Sequence, residues 1–171
     1  MELNVAFTGY RPEKLPFIES DTDPMYSAFR EAHKGLVKHL IGLGCTCFFS
    51  GVAKGFDTWA AEDVLYWKRE YPHIRLVCAV PFPGQADAWL PSERQRREKI
   101  LAAADEVVTV CPQYQKGCYY ERNRYMVDRS DVLVAAFDGK PGGTAYTVDY
   151  ARSEGLTVLQ INPATAEIIR L

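Results

Sequence analysis

Hydrophobic and polar positions change period repeatedly along the chain. Short apolar runs, rich in β-branched residues, fall at 3–7, 46–49, 74–80, 106–110, 132–137 and 156–161. Between them lie segments with apolar residues at helical spacing, at 24–43, 56–70, 92–103, 119–128 and 144–153. Near-continuous apolar strands alternating with helices imply right-handed crossovers and a mainly parallel sheet covered on both faces. The pattern predicts an α/β fold, a doubly wound sheet of six strands with five helices on its two faces.

Local signals support the helices. Asp23 and Pro24 read as the N-cap and first residue of the first helix, whose apolar stripe of Met25, Phe29, Leu36 and Leu40 stops before Gly44. In the third helix Ser92 and Gln95 have capping-box spacing, but Arg94, Arg96, Arg97 and Lys99 leave only a thin apolar face around Ile100, Leu101 and Ala104. That helix is expected to lie largely in solvent. Trp59, Ala60, Val64 and Trp67 recur at helical spacing and read as a packing face. The longest irregular stretches, 9–23 and 81–91, both follow strands, where binding loops belong.

A length of 171 residues with 47% hydrophobic content suits one domain spanning 1–171. The net charge of −2 supplies no global field for nucleic acid, so such binding would need a local basic patch. Cys45, Cys47, Cys78, Cys111 and Cys118 form no C-x-x-C pair and no zinc spacing, and read as reduced thiols. The sequence enters a strand at once, without a charged-then-apolar leader, and no apolar run has bilayer-crossing length. A cytoplasmic protein without membrane insertion is the expectation.

Ligands of open α/β sheets sit beyond the carboxyl ends of the strands, so the loops after the strands carry the candidate chemistry. Residues 137–148, FDGKPGGTAYTV, look like a phosphate-binding turn. The pair Gly142 and Gly143 lets backbone approach an anion, and the free N–H groups of the helix opening at Thr144 would point at it. After the first strand, Thr8, Gly9 and Arg11 could turn the chain and donate to phosphate or ribose, although a glycine turn with a surface arginine explains them equally well. After the second strand, Ser50, Gly51, Gly55 and Asp57 form a glycine-bearing turn that is neither G-x-G-x-x-G nor a Walker loop. Asp57 could bind a ribose hydroxyl or merely favour the helix N-terminus. Phe82 and Trp89 could cover a base, but closing the end of the core explains them better. Arg122 and Asn123 stand in a charged helix whose pairing accounts for much of it; Asn123, a poor helix former, is the residue least explained that way.

Catalytic motifs are missing. His33, His39 and His73 precede no motif loop and read as surface residues, so neither a histidine triad nor a metal centre is supported. No nucleophile elbow or paired-carboxylate motif is present.

The segments SGVAKGFDTWAAE, YYERNRYMVDRSDVLVAAFDG and GGTAYTVDYARSEG resemble the SLOG superfamily of Rossmann-like proteins, which includes DprA (Smf) and the LOG enzymes. From TGYRPEKLPF to the last strand, the whole chain is most similar to the YpsA family of small bacterial proteins. The resemblance implies a six-stranded Rossmann-like sheet. It also implies a small-molecule nucleotide ligand, NAD- or ADP-ribose-like, on loops matching Thr8, Gly9, Ser50, Gly51, Gly55, Asp57, Arg122, Asn123, Gly142, Gly143 and Thr144. LOG enzymes carry P-G-G-x-G-T-x-x-E, whose glutamate serves in cleaving a nucleoside monophosphate. Here the run is Pro141, Gly142, Gly143, Thr144, and with the threonines aligned the glutamate's place falls on Thr147. A neutral hydroxyl cannot stabilise a ribosyl cation as a carboxylate does, and Asp149 falls elsewhere on the helix. Hydrolase activity is therefore in doubt and no catalytic residue is assigned. DprA proteins share R-N-R, seen at Arg122 to Arg124, and bind single-stranded DNA, a reading that ranks below a nucleotide here because acids nearly match the arginines. The YpsA resemblance further implies a ligand-sensing regulator linked to bacterial cell division or stress, which could act on a protein partner, and exposed motif helices could separately support a homodimer.

Overall fold

The computed structural model describes residues 2–171. Among these residues seven strands form one sheet: β1 (Leu3–Gly9), β2 (Cys45–Ser50), β3 (Arg75–Val80), β4 (Glu106–Thr109), β5 (Val132–Ala136), β6 (Thr157–Ile161) and β7 (Ile168–Arg170). Five α-helices connect them: α1 (Pro24–Gly42), α2 (Phe56–Lys68), α3 (Pro91–Ala103), α4 (Cys118–Asp128) and α5 (Gly143–Ser153). The strand order is β4-β3-β2-β1-β5-β6-β7, and every pairing is parallel except the last.

The doubly wound α/β expectation holds, with one correction to the strand count. The seventh strand is a three-residue antiparallel edge, pairing Ile168 to Arg170 with Leu159 to Ile161. It is too short, and too exposed on every residue, to leave a periodic signal in the sequence.

Period-two alternation along the central strands builds a core on each face. Val5, Phe7, Val132, Val134 and Ala136 face α1, α2 and α3, where Phe29, Trp59 and Ile100 meet them. Ala6, Leu133 and Ala135 face α4 and α5, against Met126, Val127, Val148 and Ala151. Trp59, Ala60 and Val64 are buried as the spacing predicts, and Trp67 is half-buried with its indole N–H on the Lys34 carbonyl at 2.9 Å.

Asp23 caps α1 by accepting the Met25 N–H at 3.0 Å, ahead of Pro24. The buried stripe of this helix runs through Tyr26, Phe29, His33, Leu36, Val37, Leu40 and Ile41, leaving Met25 outside it. His33 is thus a core residue and not a surface one. It sits among Phe7, Phe29 and Phe56 and bonds through Nδ1 to Asp63 at 2.7 Å, while Arg30 bonds the other carboxylate oxygen at 3.0 Å. The partner thirty residues away makes its burial tolerable, and no local pattern announces it. In α3 the cap is made by the Leu90 N–H, which donates to Glu93 at 2.9 Å, two residues earlier than the Ser92–Gln95 spacing suggests. Only Arg97 and Ile100 of that helix are buried.

Candidate functional site

The chain proceeds outward from β1 to β4 on one side, and β5 then returns to the other side of β1. This reversal opens a crevice beyond the carboxyl ends of β1 and β5, the place where open α/β sheets take their ligands. A cleft of about 300 Å³ occupies it. Thr8, Gly9, Arg11, Asp57, Arg122, Asn123, Gly143 and Thr144 line it, so eight of the twelve candidate residues converge there.

The other four, Ser50, Gly51, Gly55 and Gly142, stand behind the lining. The Ser50 hydroxyl donates to the Asp57 carbonyl at 2.8 Å and accepts the Val52 N–H at 3.2 Å, which folds the turn before α2. Gly55 has φ of +85°, and a Cβ there would lie 2.8 Å from the Tyr10 carbonyl. Only glycine lets the β2 turn pass the β1 turn so closely. Gly51 gives its carbonyl to Arg122 Nη1 at 2.6 Å and to Gln85 Nε2 at 3.2 Å, and a Cβ there would strike the Arg122 guanidinium at 2.3 Å. Gly142 is the N-cap of α5, and a Cβ on it would stand 3.0 Å from Lys14 Nζ. Gly9 has its own packing reason, since a Cβ would meet Phe56 at 2.5 Å.

Charge is arranged unevenly around the cleft. Arg122 is 3% exposed, and its guanidinium bonds carbonyls of Gly51 and Ala79 and the Asn123 side chain. Among the described residues no carboxylate lies within 4.0 Å of it, of Arg11 or of Lys14. Burial lowers the Arg122 pKa, opposed by the charge of Asp57. Burial likewise pushes the Asp57 carboxyl above the usual range, opposed by Arg122 and by the Ala53 N–H at 3.4 Å. Helix α5 opens toward the cleft with no side-chain cap and no acid in its first turn. Its first N–H groups therefore keep their donors for an anion.

Several lining residues escaped the sequence reading. Tyr10, Glu13, Lys14, Ala53, Tyr119 and Tyr120 complete the wall. The Tyr10 hydroxyl donates to Asp138 at 2.5 Å, tying the β1 loop to the β5 loop, and Arg11 lies over the Tyr119 ring at 4.7 Å. For Tyr10, its place directly before Arg11 was the available signal. Phe82 contacts Tyr114 and Tyr119 and does not line the cleft, nor does Trp89. Val52 takes φ of +48°, an uncommon strain for a β-branched residue and one that gathers at functional turns.

Thr147 lies outside the lining and is 2% exposed. Its hydroxyl donates to the Gly143 carbonyl at 3.2 Å and accepts the Asn123 amide at 3.1 Å, which fixes Asn123 at the cleft edge. Asp149 is exposed and elsewhere.

Fold and crevice together define a Rossmann-like α/β protein with a crevice at the β1–β5 reversal. The chain belongs to the YpsA family, described as the YspA SLOG family, which it matches over residues 5–162. A UPF0398 protein of Bacillus cereus is 29% identical over 154 residues, covering 88% of this chain and 83% of the relative, and one of Bacillus thuringiensis matches to the same extent. Among solved structures, DNA processing protein A of Helicobacter pylori, described for its single-stranded DNA binding mode, has a TM-score of 0.61 at 18% identity, covering 92% of this chain and 64% of that one. DNA processing protein A of Streptococcus pneumoniae has a TM-score of 0.62 at 20% identity, covering 92% and 50%. The chain thus spans between half and two thirds of those proteins, and at these identities the likeness shows the fold alone. No helix among the described residues is long and apolar enough to cross a membrane.

Proposed function

We propose that the protein binds a nucleotide or nucleotide derivative, of NAD or ADP-ribose type, as a ligand-sensing regulator rather than as a hydrolase. One observation carries this reading: three cations without carboxylate partners and an uncapped helix N-terminus converge on one crevice beside a buried acid. Arg11, Lys14 and the α5 N–H groups suit a phosphate, and Asp57 with Asn123 suits the hydroxyls of a ribose. Tyr119 and Tyr120 supply aromatic faces for a base. A role in bacterial cell division or stress, exercised through a protein partner or a homodimer, accords with the family.

The hydrolase alternative lacks its acid, because Thr147 is buried and engaged with Asn123. Single-stranded DNA is the second alternative, favoured by exposed Tyr120 and Tyr146, which pack edge to face beside Arg124, and by the fold shared with a DNA-binding protein. Titration calorimetry of the full chain with AMP, ADP-ribose, NAD and a short oligonucleotide separates these. One-to-one binding of a nucleotide without release of free base is expected. Base release on chromatography would favour the hydrolase, and salt-dependent oligonucleotide binding alone would favour DNA.

A further inference from the structure

Two of the five cysteines stand apart from the others. Cys45 and Cys78 are buried in strands among apolar side chains, where desolvation pushes their thiols up to about 11 and about 12, and neither sulfur has a polar side chain or base bonded to it among the described residues. Cys111 and Cys118 bracket a surface loop whose residues 112–116 are all exposed, and both cysteines lie buried directly beneath it, so a peroxide reaches them by displacing that loop alone. Cys111 follows β4, anchored by its N–H on the Pro81 carbonyl at 2.9 Å, and Cys118 is the first residue of α4.

The two sulfurs share one polar cluster. Cys118 Sγ accepts the Gln115 N–H at 3.0 Å, the Gln115 side-chain amide reaches Cys111 Sγ at 3.9 Å, and the Cys111 thiol donates to Glu121 Oε2 at 3.1 Å. Glu121 lies one turn into α4 and also accepts from Gln115 at 3.5 Å. The carboxylate that takes the Cys111 proton is the main reason this thiol is held high, at about 12, followed by burial and by the adjoining Cys118 thiol. At rest Cys111 is therefore a protonated thiol already hydrogen-bonded to a base. Cys118 differs: no carboxylate takes its proton, and its sulfur accepts the Gln115 backbone N–H while donating more loosely to the Gln113 carbonyl at 3.7 Å. One sulfur that accepts a backbone N–H and a second thiol presented to a base match the two halves of disulfide formation. Neither is used by the cleft, although the loop between them leads straight into Tyr119 and Tyr120.

We infer that Cys111 and Cys118 form a reversible redox site, closed to an intraloop disulfide by a hydroperoxide, with Cys118 attacking first, Cys111 resolving and Glu121 acting as the base. In the first step the Cys118 sulfur bonds to the outer oxygen of the peroxide, the O–O bond breaks, and the departing oxygen leaves as water or an alcohol with the thiol proton. Cys118 is then a sulfenic acid, oxidised by two electrons as the peroxide is reduced. In the second step Glu121 accepts the Cys111 proton, the Cys111 sulfur bonds to Cys118, and the sulfenic hydroxyl leaves as water with the proton from Glu121. Disulfides in reducing compartments are of this transient kind, and a small thiol reverses the bond by exchange.

The test needs only the full chain, hydrogen peroxide and trypsin. Lys116 lies between the two cysteines, so trypsin separates residues 100–116 from 117–122 unless a disulfide holds them. After brief exposure to peroxide and alkylation of the remaining thiols, these two peptides should run as one mass that reduction splits, with Cys45 and Cys78 alkylated. Cys111→Ser should stop the reaction at a Cys118 sulfenic acid that a cyclic diketone traps. Glu121→Gln should slow closure by roughly 10²-fold or more while the sulfenic acid accumulates, and Glu121→Asp should recover part of the rate. A chain that stays fully reduced, oxidation spread evenly over the five cysteines, or unchanged closure in Glu121→Gln would each overturn the assignment. None of these outcomes depends on what the cleft binds, so failure here and failure of the nucleotide reading are separate results.

Discussion

Gly143→Leu isolates ligand binding from folding. Gly143 lines the cleft, is exposed at the first position of α5, and a Cβ built on it meets nothing within 4 Å. The backbone there has no positive φ, so a leucine fits the folded chain without strain. Removing a glycine from a compatible position gains about 0.4–1 kcal/mol through the unfolded state, so stability should hold or rise slightly. In the cleft, the same side chain stands where an anion would approach the α5 N–H groups. Each hydrogen bond to a charged group is worth about 1.5–3 kcal/mol, so losing one weakens binding roughly tenfold to a hundredfold, and losing two abolishes it in practice. Urea unfolding and calorimetry with the nucleotide that binds wild type, run on the same preparation, check both halves. Unchanged affinity with unchanged stability would refute the placement of the phosphate. Gly51 cannot serve this purpose, because its Cβ would displace Arg122 and confound binding with packing.

Asp63→Ala leaves Arg30 and His33 without their shared carboxylate in an apolar core and should cost about 3–5 kcal/mol by urea unfolding. Burial pushes the Asp63 carboxyl up, but His33 and Arg30 outweigh it and hold the carboxyl below its usual range. Its contribution to stability is complete above the unfolded value near 3.9 and is lost as pH falls through the folded one, so Asp63→Asn should flatten the acid limb of stability against pH. Asp57 has the opposite sign. Raised by burial, it costs stability once pH climbs above the unfolded value and through the folded one, and Asp57→Asn should raise the melting temperature at neutral pH while weakening nucleotide binding. Thr147→Glu should yield no hydrolase and should cost about 2 kcal/mol or more, because it buries a carboxylate and strips Asn123 of its partner.

Most of the fold is legible in the sequence because strands and helices in a doubly wound sheet have opposed periods, and because Asp23, Pro24 and Gly44 mark their ends. What the periods cannot carry is a three-residue exposed edge such as β7. The crevice lining is legible where a loop follows a strand, which is how Thr8, Arg11, Asp57 and Gly143 come to be expected together. It is illegible where a lining residue acts through a partner far along the chain. Tyr10 matters because Asp138 lies across the crevice, and Lys14 because α5 begins beside it. The same reason hid His33, whose burial depends on Asp63. Ser50 and Gly51 are expected ligand residues that stand behind the crevice lining, bonded to Asp57 and Arg122, and spacing alone does not separate lining from support.

The central claim is that the crevice between β1 and β5 holds a nucleotide. Native mass spectrometry of the full chain, purified and then mixed with AMP, ADP-ribose and NAD, tests it most directly. The account predicts one nucleotide retained per chain by wild type and none by Gly143→Leu. Absence of any adduct across the three, or an adduct kept undiminished by Gly143→Leu, would contradict it.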